Sequence, residues 1–197
     1  MHVRGNMRPG FGRLILLAAA VSLAGTAVAQ WRHFGEDVAS PETAGAGAPA
    51  AILPHVKTPA SMVREIIDAH NVVRSRVGTA PLTWSDRLAS VAQDWANRLM
   101  ANGQFAHSHN PNYGENLYEI SGAAATPNQV IKAFSDEVSD YDYRSNTCRG
   151  RGVCGHYTQV VWNDTREVGC AVARGGRREV WVCEYYPPGN WVGRKPY

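Results

Sequence analysis

The chain has 197 residues, with 20 lysine and arginine residues against 17 aspartate and glutamate residues, which gives a formal net charge of +3 at pH 7. The excess positive charge lies in the first 29 residues, which contain three arginines and no acidic residue. Because the rest of the chain is balanced and has no lysine or arginine run that could neutralise a row of phosphates, nucleic acid is excluded as a partner.

The N-terminal segment has the three parts of a cleavable secretory signal. Three arginines form a basic region, an apolar run follows over residues 14–23, and the small residues 27–29 precede Gln30. The apolar run is too short to span a bilayer, which takes roughly 20 residues. We therefore predict a signal peptide over residues 1–29, an exported protein that is extracellular or periplasmic, and no transmembrane segment. The alternative is an anchor that stays attached.

A linker and a single domain are predicted to follow the signal. We predict a disordered linker over residues 30–59, because its central stretch, residues 39–50, is small, rich in proline and glycine and nearly without large apolar groups, and so cannot offset the entropy lost on ordering. Residues 60–197 have a normal length for one domain with one core. We expect this domain to be a monomer.

Three helices are predicted in the first half of the domain from apolar residues at helical spacing. The first begins at Thr58-Pro59 and ends at Gly78, and the second begins at Ser85. The third begins at Thr126, where Thr-Pro-Asn-Gln is typical of a capping box with proline at the first helical position.

The apolar pattern then changes to a period of two, which predicts strands over residues 155–162, 168–172 and 179–186. The last two strands flank Gly176-Arg177, which suits a two-residue type II′ turn because glycine comes first. Helices followed by strands indicate an α+β domain, in which the helices pack on an antiparallel sheet.

All four cysteines, Cys148, Cys154, Cys170 and Cys183, lie in the last 50 residues. An even number in an oxidising compartment indicates two disulfides, and four cysteines allow three pairings. The predicted hairpin register places Cys170 opposite Cys183, and a Cys148–Cys154 bond would then close a small loop. A zinc site is the competing interpretation, but the chain has no Cys-x-x-Cys pair.

Four side chains are candidates for chemistry. Glu137 shares the apolar face of the third helix, where a carboxylate needs donors, a cation or a metal. His107 lies in an extended segment with His109, Glu115 follows a glycine, and His156 begins a predicted strand. Two imidazoles and two carboxylates suit a divalent transition metal such as zinc. Spacing alone does not bring them together, and each histidine could instead be a hydrogen-bonded structural residue.

Short motifs in a fixed order along residues 60–197 carry a family resemblance. They include Ala69-His-Asn71, Pro81-Leu-Thr-Trp84, Gly114-Glu-Asn-Leu117, Gly155-His-Tyr-Thr-Gln-Val-Val-Trp162 and Pro187-Pro-Gly-Asn190. With these motifs the chain resembles the CAP superfamily, which contains cysteine-rich secretory proteins, venom antigen 5 and plant pathogenesis-related class-one proteins. The resemblance is closest to the single-domain plant and bacterial members.

This resemblance implies a three-layer α-β-α sandwich with a central, mainly antiparallel sheet and a cleft that holds two histidines and two acids. The matching positions are His107 and His156, as ligands of zinc or another divalent metal, and Glu115 and Glu137, as the cleft acids. His109 has no role in the family pattern.

The chain departs from the usual plant pattern of six cysteines. Two are absent, one where Asn102-Gly103 stand and one near Arg174. Because the missing positions are similar to a bonded pair in the family, their joint absence favours the pairs Cys148–Cys154 and Cys170–Cys183.

The function that the resemblance implies is a secreted, non-enzymatic module that binds small hydrophobic ligands such as sterols or fatty acids, with a metal-capable cleft. One alternative is a metal-dependent hydrolase, a peptidase or esterase, that uses the same cleft. The chain has neither a His-Glu-x-x-His helix nor a Gly-x-Ser-x-Gly elbow to support it. The other alternative is a protein that engages a host or competitor surface.

Overall fold

A computed structural model of the chain describes residues 58–150 and 152–197. The predicted signal and all but the last two residues of the predicted linker lie outside the described residues. No helix within the described part combines the length and the apolar character needed to cross a membrane.

Besides one 3-10 helix, Glu137–Asp140, the described residues contain four α-helices, and the starts predicted for two of these α-helices are confirmed. Their bounds are Ala60–Ser75 (α1), Asp86–Asn102 (α2), Pro127–Asp136 (α3) and Gly155–Val160 (α4). Ser85 caps α2 with its hydroxyl, which accepts from the Leu88 N–H. Thr126 and Gln129 form the predicted capping box of α3, because each side chain accepts a hydrogen bond from the other's backbone N–H.

The main sheet has four strands in the order β1-β5-β6-β2. Their bounds are Thr83–Trp84 (β1), Gly114–Ser121 (β2), Glu167–Gly175 (β5) and Arg178–Tyr186 (β6). Only β1 pairs in parallel, with β5, and the other pairings are antiparallel. A separate two-stranded ladder joins Tyr141–Asp142 (β3) to Thr147–Cys148 (β4). The predicted, mainly antiparallel sheet is confirmed.

Helices cover both faces of this sheet. On one face, α2 packs its alanines and Leu99 against Val180 and Val182 of β6. A Cβ at Gly169 would lie 2.1 Å from the Ala89 nitrogen, so only glycine lets α2 approach β5 this closely. On the other face, α1, α3 and α4 pack against the alternate residues of the same strands, among them Trp181. The predicted α-β-α sandwich is therefore confirmed.

The hairpin between β5 and β6 has the predicted register. Gly175 pairs with Arg178, which leaves Gly176-Arg177 as a two-residue turn, and Gly176 has a φ of +59°. The same register places Cys170 opposite Cys183, and these cysteines form a disulfide with a Cα–Cα distance of 4.1 Å.

The remaining two cysteines, Cys148 and Cys154, form the second predicted disulfide. With no free cysteine among the described residues, the zinc interpretation of the cysteines is wrong.

The strand predicted over residues 155–162 is wrong. Its first six residues form α4, so His156 lies in the first turn of a short helix. β-branched and aromatic residues favour a strand only where the backbone can join a sheet. Here the buried Arg74 guanidinium donates hydrogen bonds to the carbonyls of Val160 and Trp162, at 2.9 Å each. Those carbonyls are therefore not available to a ladder.

Candidate functional site

His107 and Glu115 form the first of two imidazole–carboxylate pairs. His107 follows the end of α2, and Glu115 is the second residue of β2, on the face of the sheet that packs on α2. The His107 Nδ1 lies 2.6 Å from the Glu115 Oε1, and the Ser108 N–H donates to the same carboxylate at 3.0 Å. The His107 side chain is about half exposed, whereas only 7% of the Glu115 side chain is exposed.

In this pair each group stabilises the charged form of the other. The hydrogen bond to Glu115 raises the pKa of His107, against the opposing effect of burial. Burial acts to raise the pKa of Glu115, but the hydrogen bonds from His107 and Ser108 outweigh it, so the pKa of Glu115 is lowered. Both shifts favour a charged imidazolium beside a charged carboxylate.

His156 and Glu137 form the second pair. Glu137 directly follows α3, and its Oε1 lies 2.6 Å from the His156 Nδ1. The other oxygen, Oε2, accepts from the backbone N–H groups of His156, at 2.9 Å, and Tyr157, at 3.3 Å. These are first-turn amides of α4, which have no partner within the helix. The His156 ring stacks on Phe134 of α3 with 5.1 Å between the ring centroids.

Asn116 connects the segments that carry the two pairs. It follows Glu115 in β2 and is almost fully buried. Its side-chain amide donates to the His156 carbonyl at 3.1 Å and to the Tyr185 hydroxyl at 3.2 Å. The start of β2 is therefore tied to the start of α4.

The structure arranges the four candidate residues as two pairs. Nowhere in residues 58–150 and 152–197 do three or more histidine, cysteine, aspartate or glutamate side chains form a set that could hold a metal. In each pair the carboxylate engages Nδ1, which leaves Nε2 of the imidazole for another partner. A carboxylate on one ring nitrogen is the usual arrangement of a metal-ligating histidine. Each pair by itself therefore offers a metal one imidazole nitrogen. His109 takes no part in either pair.

Sequence reasoning missed one acid beside this site. Glu184 is fully buried and lies directly opposite Glu115 in the β2–β6 ladder. Burial raises the pKa of Glu184 to about 8, with a further contribution from the neighbouring Glu115 carboxylate. The available signal was an acid in the interior of the strand predicted over 179–186, which begins with a second acid, Glu179. Its partner was not predictable, because β2 was not predicted as a strand.

A groove of about 540 Å³ lies between α1 and α3, and none of the four residues of the two pairs lines it. Val72, Val73 and Ile131 form its apolar surface, and Val72 is 54% exposed there. Arg76 and Lys132 stand among its polar lining residues.

Comparisons with known proteins agree with the observed fold. A family model described as "CAP: Cysteine-rich secretory protein family" matches residues 67–185. The chain is similar to pathogenesis-related protein 1A of Nicotiana tabacum, with 47% identity over 135 residues that cover 68% of this chain and 80% of that relative.

Two solved structures have a similar fold. Venom allergen-like protein 4 of Schistosoma mansoni matches at a TM-score of 0.57 and 27% identity, over 71% of this chain and 95% of that chain. A structure of NaASP2 with Zn²⁺ matches at a TM-score of 0.61 and 22% identity, over 73% of this chain and 88% of that chain. The family match spans all four residues of the two imidazole–carboxylate pairs.

Proposed function

The chain belongs to the cysteine-rich secretory protein family, CAP, and on that premise we propose that it is a binding module that takes up a long-chain fatty acid in the groove between α1 and α3. Membership of a family of secretory proteins confirms the predicted export. The identity of the ligand is the proposal, and the observation that carries it is the groove itself, an apolar surface with a cation among its lining residues.

The size and lining of the groove suit an acyl chain. Its volume of about 540 Å³ lies within the range of roughly 300–1,000 Å³ typical of small-molecule sites. Val72 is more than half exposed although it is apolar, so a bound chain would remove this surface from water. Each buried methylene would contribute about 0.8 kcal/mol.

Four charged side chains line the groove, Asp68, Arg76, Lys132 and Asp136. At the Arg76 end they favour a carboxylate head group over the hydroxyl of a sterol, because Asp68 lies eight residues, about two helical turns, before Arg76. Lys132 is neutralised by Asp136, with Nζ–Oδ distances of 2.8 and 2.6 Å. Among the described residues, the exposed Arg76 guanidinium has no hydrogen bond or ion pair. An unpaired guanidinium beside an apolar surface is a natural partner for a carboxylate, which it can bind through two parallel hydrogen bonds.

Equilibrium binding of a fluorescent long-chain fatty acid, the matching fatty alcohol and a sterol tests this proposal. Saturable binding of the acid at micromolar protein is expected. Arg76→Gln should weaken acid binding about tenfold, which corresponds to about 1.4 kcal/mol, and leave alcohol binding unchanged. Arg64→Gln is the matched control, since Arg64 is an exposed arginine within α1, as Arg76 is directly after it, but does not line the groove.

A second variant tests the apolar surface. Val72→Asp should weaken acid and alcohol alike, whereas Val192→Asp, at a fully exposed valine outside the groove, should have no effect. Absence of saturable binding by the wild-type protein would overturn the fatty-acid proposal. Sterol binding that is insensitive to Arg76→Gln would favour the sterol instead.

The two imidazole–carboxylate pairs favour metal binding as a second property. We propose that Nε2 of His107 and Nε2 of His156 are the metal ligands, and that Glu115 and Glu137 orient the rings. A divalent metal bound there would supply a Lewis acid.

Calorimetric titration of zinc into the folded protein tests the metal proposal. Binding that His107→Ala and His156→Ala both abolish is expected. If no zinc binding is detected, the two pairs have a structural role. If no lipid binding is detected either, the alternative of a protein that engages a host or competitor surface would remain. Turnover on a panel of peptides and esters, lost on chelation and in His156→Ala, would instead support the hydrolase alternative.

A further inference from the structure

Glu184 is a buried acid without any conventional hydrogen-bond donor. Its side chain has no exposed surface, and neither of its carboxyl oxygens has a donor partner in the described part of the chain. An isolated ionised carboxylate in such a place is very unfavourable, so the group must be neutral or must have a partner that supplies a proton or a charge.

The register identifies what faces Glu184 on each side. Glu115 of β2 is directly opposite on one side, and Gly169 of β5 is directly opposite on the other. The two acids stand on the same face of the sheet, beneath α2, and directly opposed residues of antiparallel strands have Cβ atoms about 4.5–5.5 Å apart. Two carboxylates this close cannot both be ionised without a large cost.

No cation or amide from α2 relieves this contact. The first turn of α2 lies over Gly169, but its Leu88 N–H donates to the Ser85 hydroxyl and its Ala89 N–H to the Ser85 carbonyl. The nearby Arg87 is exposed and engages the Tyr113 hydroxyl at 2.9 Å.

The other charged and titratable groups nearby are also engaged elsewhere. Glu167 pairs with Arg87, Asp86 is exposed and accepts from the Trp84 indole, and Tyr185 points to the opposite face of the sheet. Glu115 is therefore the group whose charge acts on Glu184.

Of the two facing acids, Glu184 is the one that carries the proton. Glu115 receives hydrogen bonds from the His107 ring and from the Ser108 N–H, which stabilise its charged form. Glu184 has neither, and burial raises its pKa to about 8. At neutral pH the contact then consists of a carboxylic acid that donates and a carboxylate that accepts.

We propose that Glu184 is a neutral carboxylic acid whose O–H donates to the Glu115 carboxylate, and that it is a positioning residue for the His107–Glu115 pair. Glu115 then accepts from three sides, and this fixes the oxygen that holds the His107 ring. The proposal does not depend on the fatty-acid groove, and its tests use the protein without any ligand.

Infrared spectroscopy tests the protonation directly. A difference spectrum between the wild-type protein and Glu184→Gln at neutral pH should show the carbonyl band of one protonated carboxylic acid. In the wild-type protein alone, that band should disappear as the pH rises through about 8, which keeps the test available if the variant does not fold. Absence of the band at neutral pH would overturn the proposal, and its appearance only after treatment with a chelator would place a cation between the two acids instead.

The pH dependence of unfolding gives an independent measurement. Because the folded-state pKa of Glu184 is raised above its unfolded value of about 4.5, its contribution to stability is full below that pH and is lost as the pH rises to about 8. Between these values the wild-type folding equilibrium constant should fall by up to about tenfold per pH unit relative to Glu184→Gln.

A matched control acid lies on the same strand. Glu179 is also buried, but hydrogen bonds from Ala125, Arg174 and Trp181 outweigh its burial and lower its pKa. Glu179→Gln should therefore change how the free energy of unfolding depends on pH in acid. At alkaline pH the dependence should stay as in the wild type. Equal slopes for the wild type and Glu184→Gln between about pH 5 and pH 8 would refute a neutral Glu184.

The positioning role can be tested separately by NMR, through the signal of the nitrogen-bound proton of the His107 ring. Glutamine at position 184 keeps a donor for Glu115, so Glu184→Gln should retain the wild-type signal. Glu184→Leu removes the donor and should shift or broaden it. A signal unchanged in the leucine variant would show that Glu184 does not position the pair.

Discussion

The Glu137 carboxylate holds His156 at two points, with one oxygen 2.6 Å from the ring Nδ1 and the other 2.9 Å from the backbone N–H of the same residue. Because an ionised carboxylate only accepts, Nδ1 carries the hydrogen. The contact therefore fixes the tautomer of the ring, its orientation and the start of α4 together. Glu137, which directly follows α3, therefore stabilises the first turn of α4.

Glu137→Ala removes all three hydrogen bonds to α4 and leaves its first-turn amides without a partner. We expect a loss of about 1–3 kcal/mol in the free energy of unfolding, measured by urea denaturation. Asp136→Asn is the control, since the Asp136 side chain is exposed and bonds Lys132 in an i,i+4 pair, and it should change stability by less than about 0.5 kcal/mol. Equal effects of the two substitutions would contradict a structural role for Glu137.

Arg74→Lys should destabilise the protein strongly although it keeps the charge. The Arg74 side chain is completely buried, and burial lowers its pKa to about 10. The guanidinium donates to four backbone carbonyls, those of Ala80, Val160, Trp162 and Thr165. A lysine ammonium is a compact group and cannot reach all four carbonyls. We therefore expect a loss of about 3 kcal/mol or more in the free energy of unfolding, measured by urea denaturation.

Arg76→Lys is the control for that experiment, because Arg76 is exposed near the end of the same helix. It should leave the urea midpoint unchanged. A wild-type midpoint for Arg74→Lys would show that the carbonyl contacts contribute little.

The elements that the sequence predicted well are those with local causes. The capping box at Thr126 and the cap at Ser85 act within one turn of the helix that they start, so a few residues decide them. The turn at Gly176-Arg177 sets the register of β5 and β6, and the pairing of Cys170 with Cys183 follows from it.

The elements that the sequence predicted wrongly or missed have distant causes. The helical conformation of α4 accompanies contacts with Glu137 and with Arg74, a residue more than 80 positions before its last carbonyl partners. The contact between Glu115 and Glu184 depends on the pairing of β2 with β6, which brings together residues that no local pattern relates. Both errors concern the candidate site, because it is assembled from segments that are far apart in sequence.

The two disulfides should differ in their contribution to stability. Cys170–Cys183 spans 13 residues and is buried in the sheet, whereas Cys148–Cys154 spans six residues. Loop-closure entropy assigns about 3 kcal/mol to the first bond and about 2 kcal/mol to the second. Replacing Cys170 and Cys183 by alanine should therefore lower the melting temperature more than replacing Cys148 and Cys154, as measured by calorimetry, and the reverse order would contradict this assignment.

The protein should lose stability in mild acid because of His70. This histidine has no exposed surface, its Nδ1–H donates to the Ile66 carbonyl at 2.8 Å, and its Nε2 accepts from the Tyr185 hydroxyl at 2.9 Å. Burial lowers its pKa to about 4. Between about pH 6.5 and pH 4 the unfolded chain binds a proton at this position that the folded protein does not, so stability falls as the pH falls, by about 3 kcal/mol in all.

Urea midpoints measured across this pH range test the role of His70. His70→Gln should be less stable than the wild type near neutral pH but should lack this part of the acid slope. Tyr185→Phe is the matched variant, because it removes the same hydrogen bond and leaves the imidazole buried, so it should be destabilised while its acid slope persists. An acid slope that survives in His70→Gln would show that another group causes it, since a glutamine at position 70 cannot take up the proton on which the effect depends.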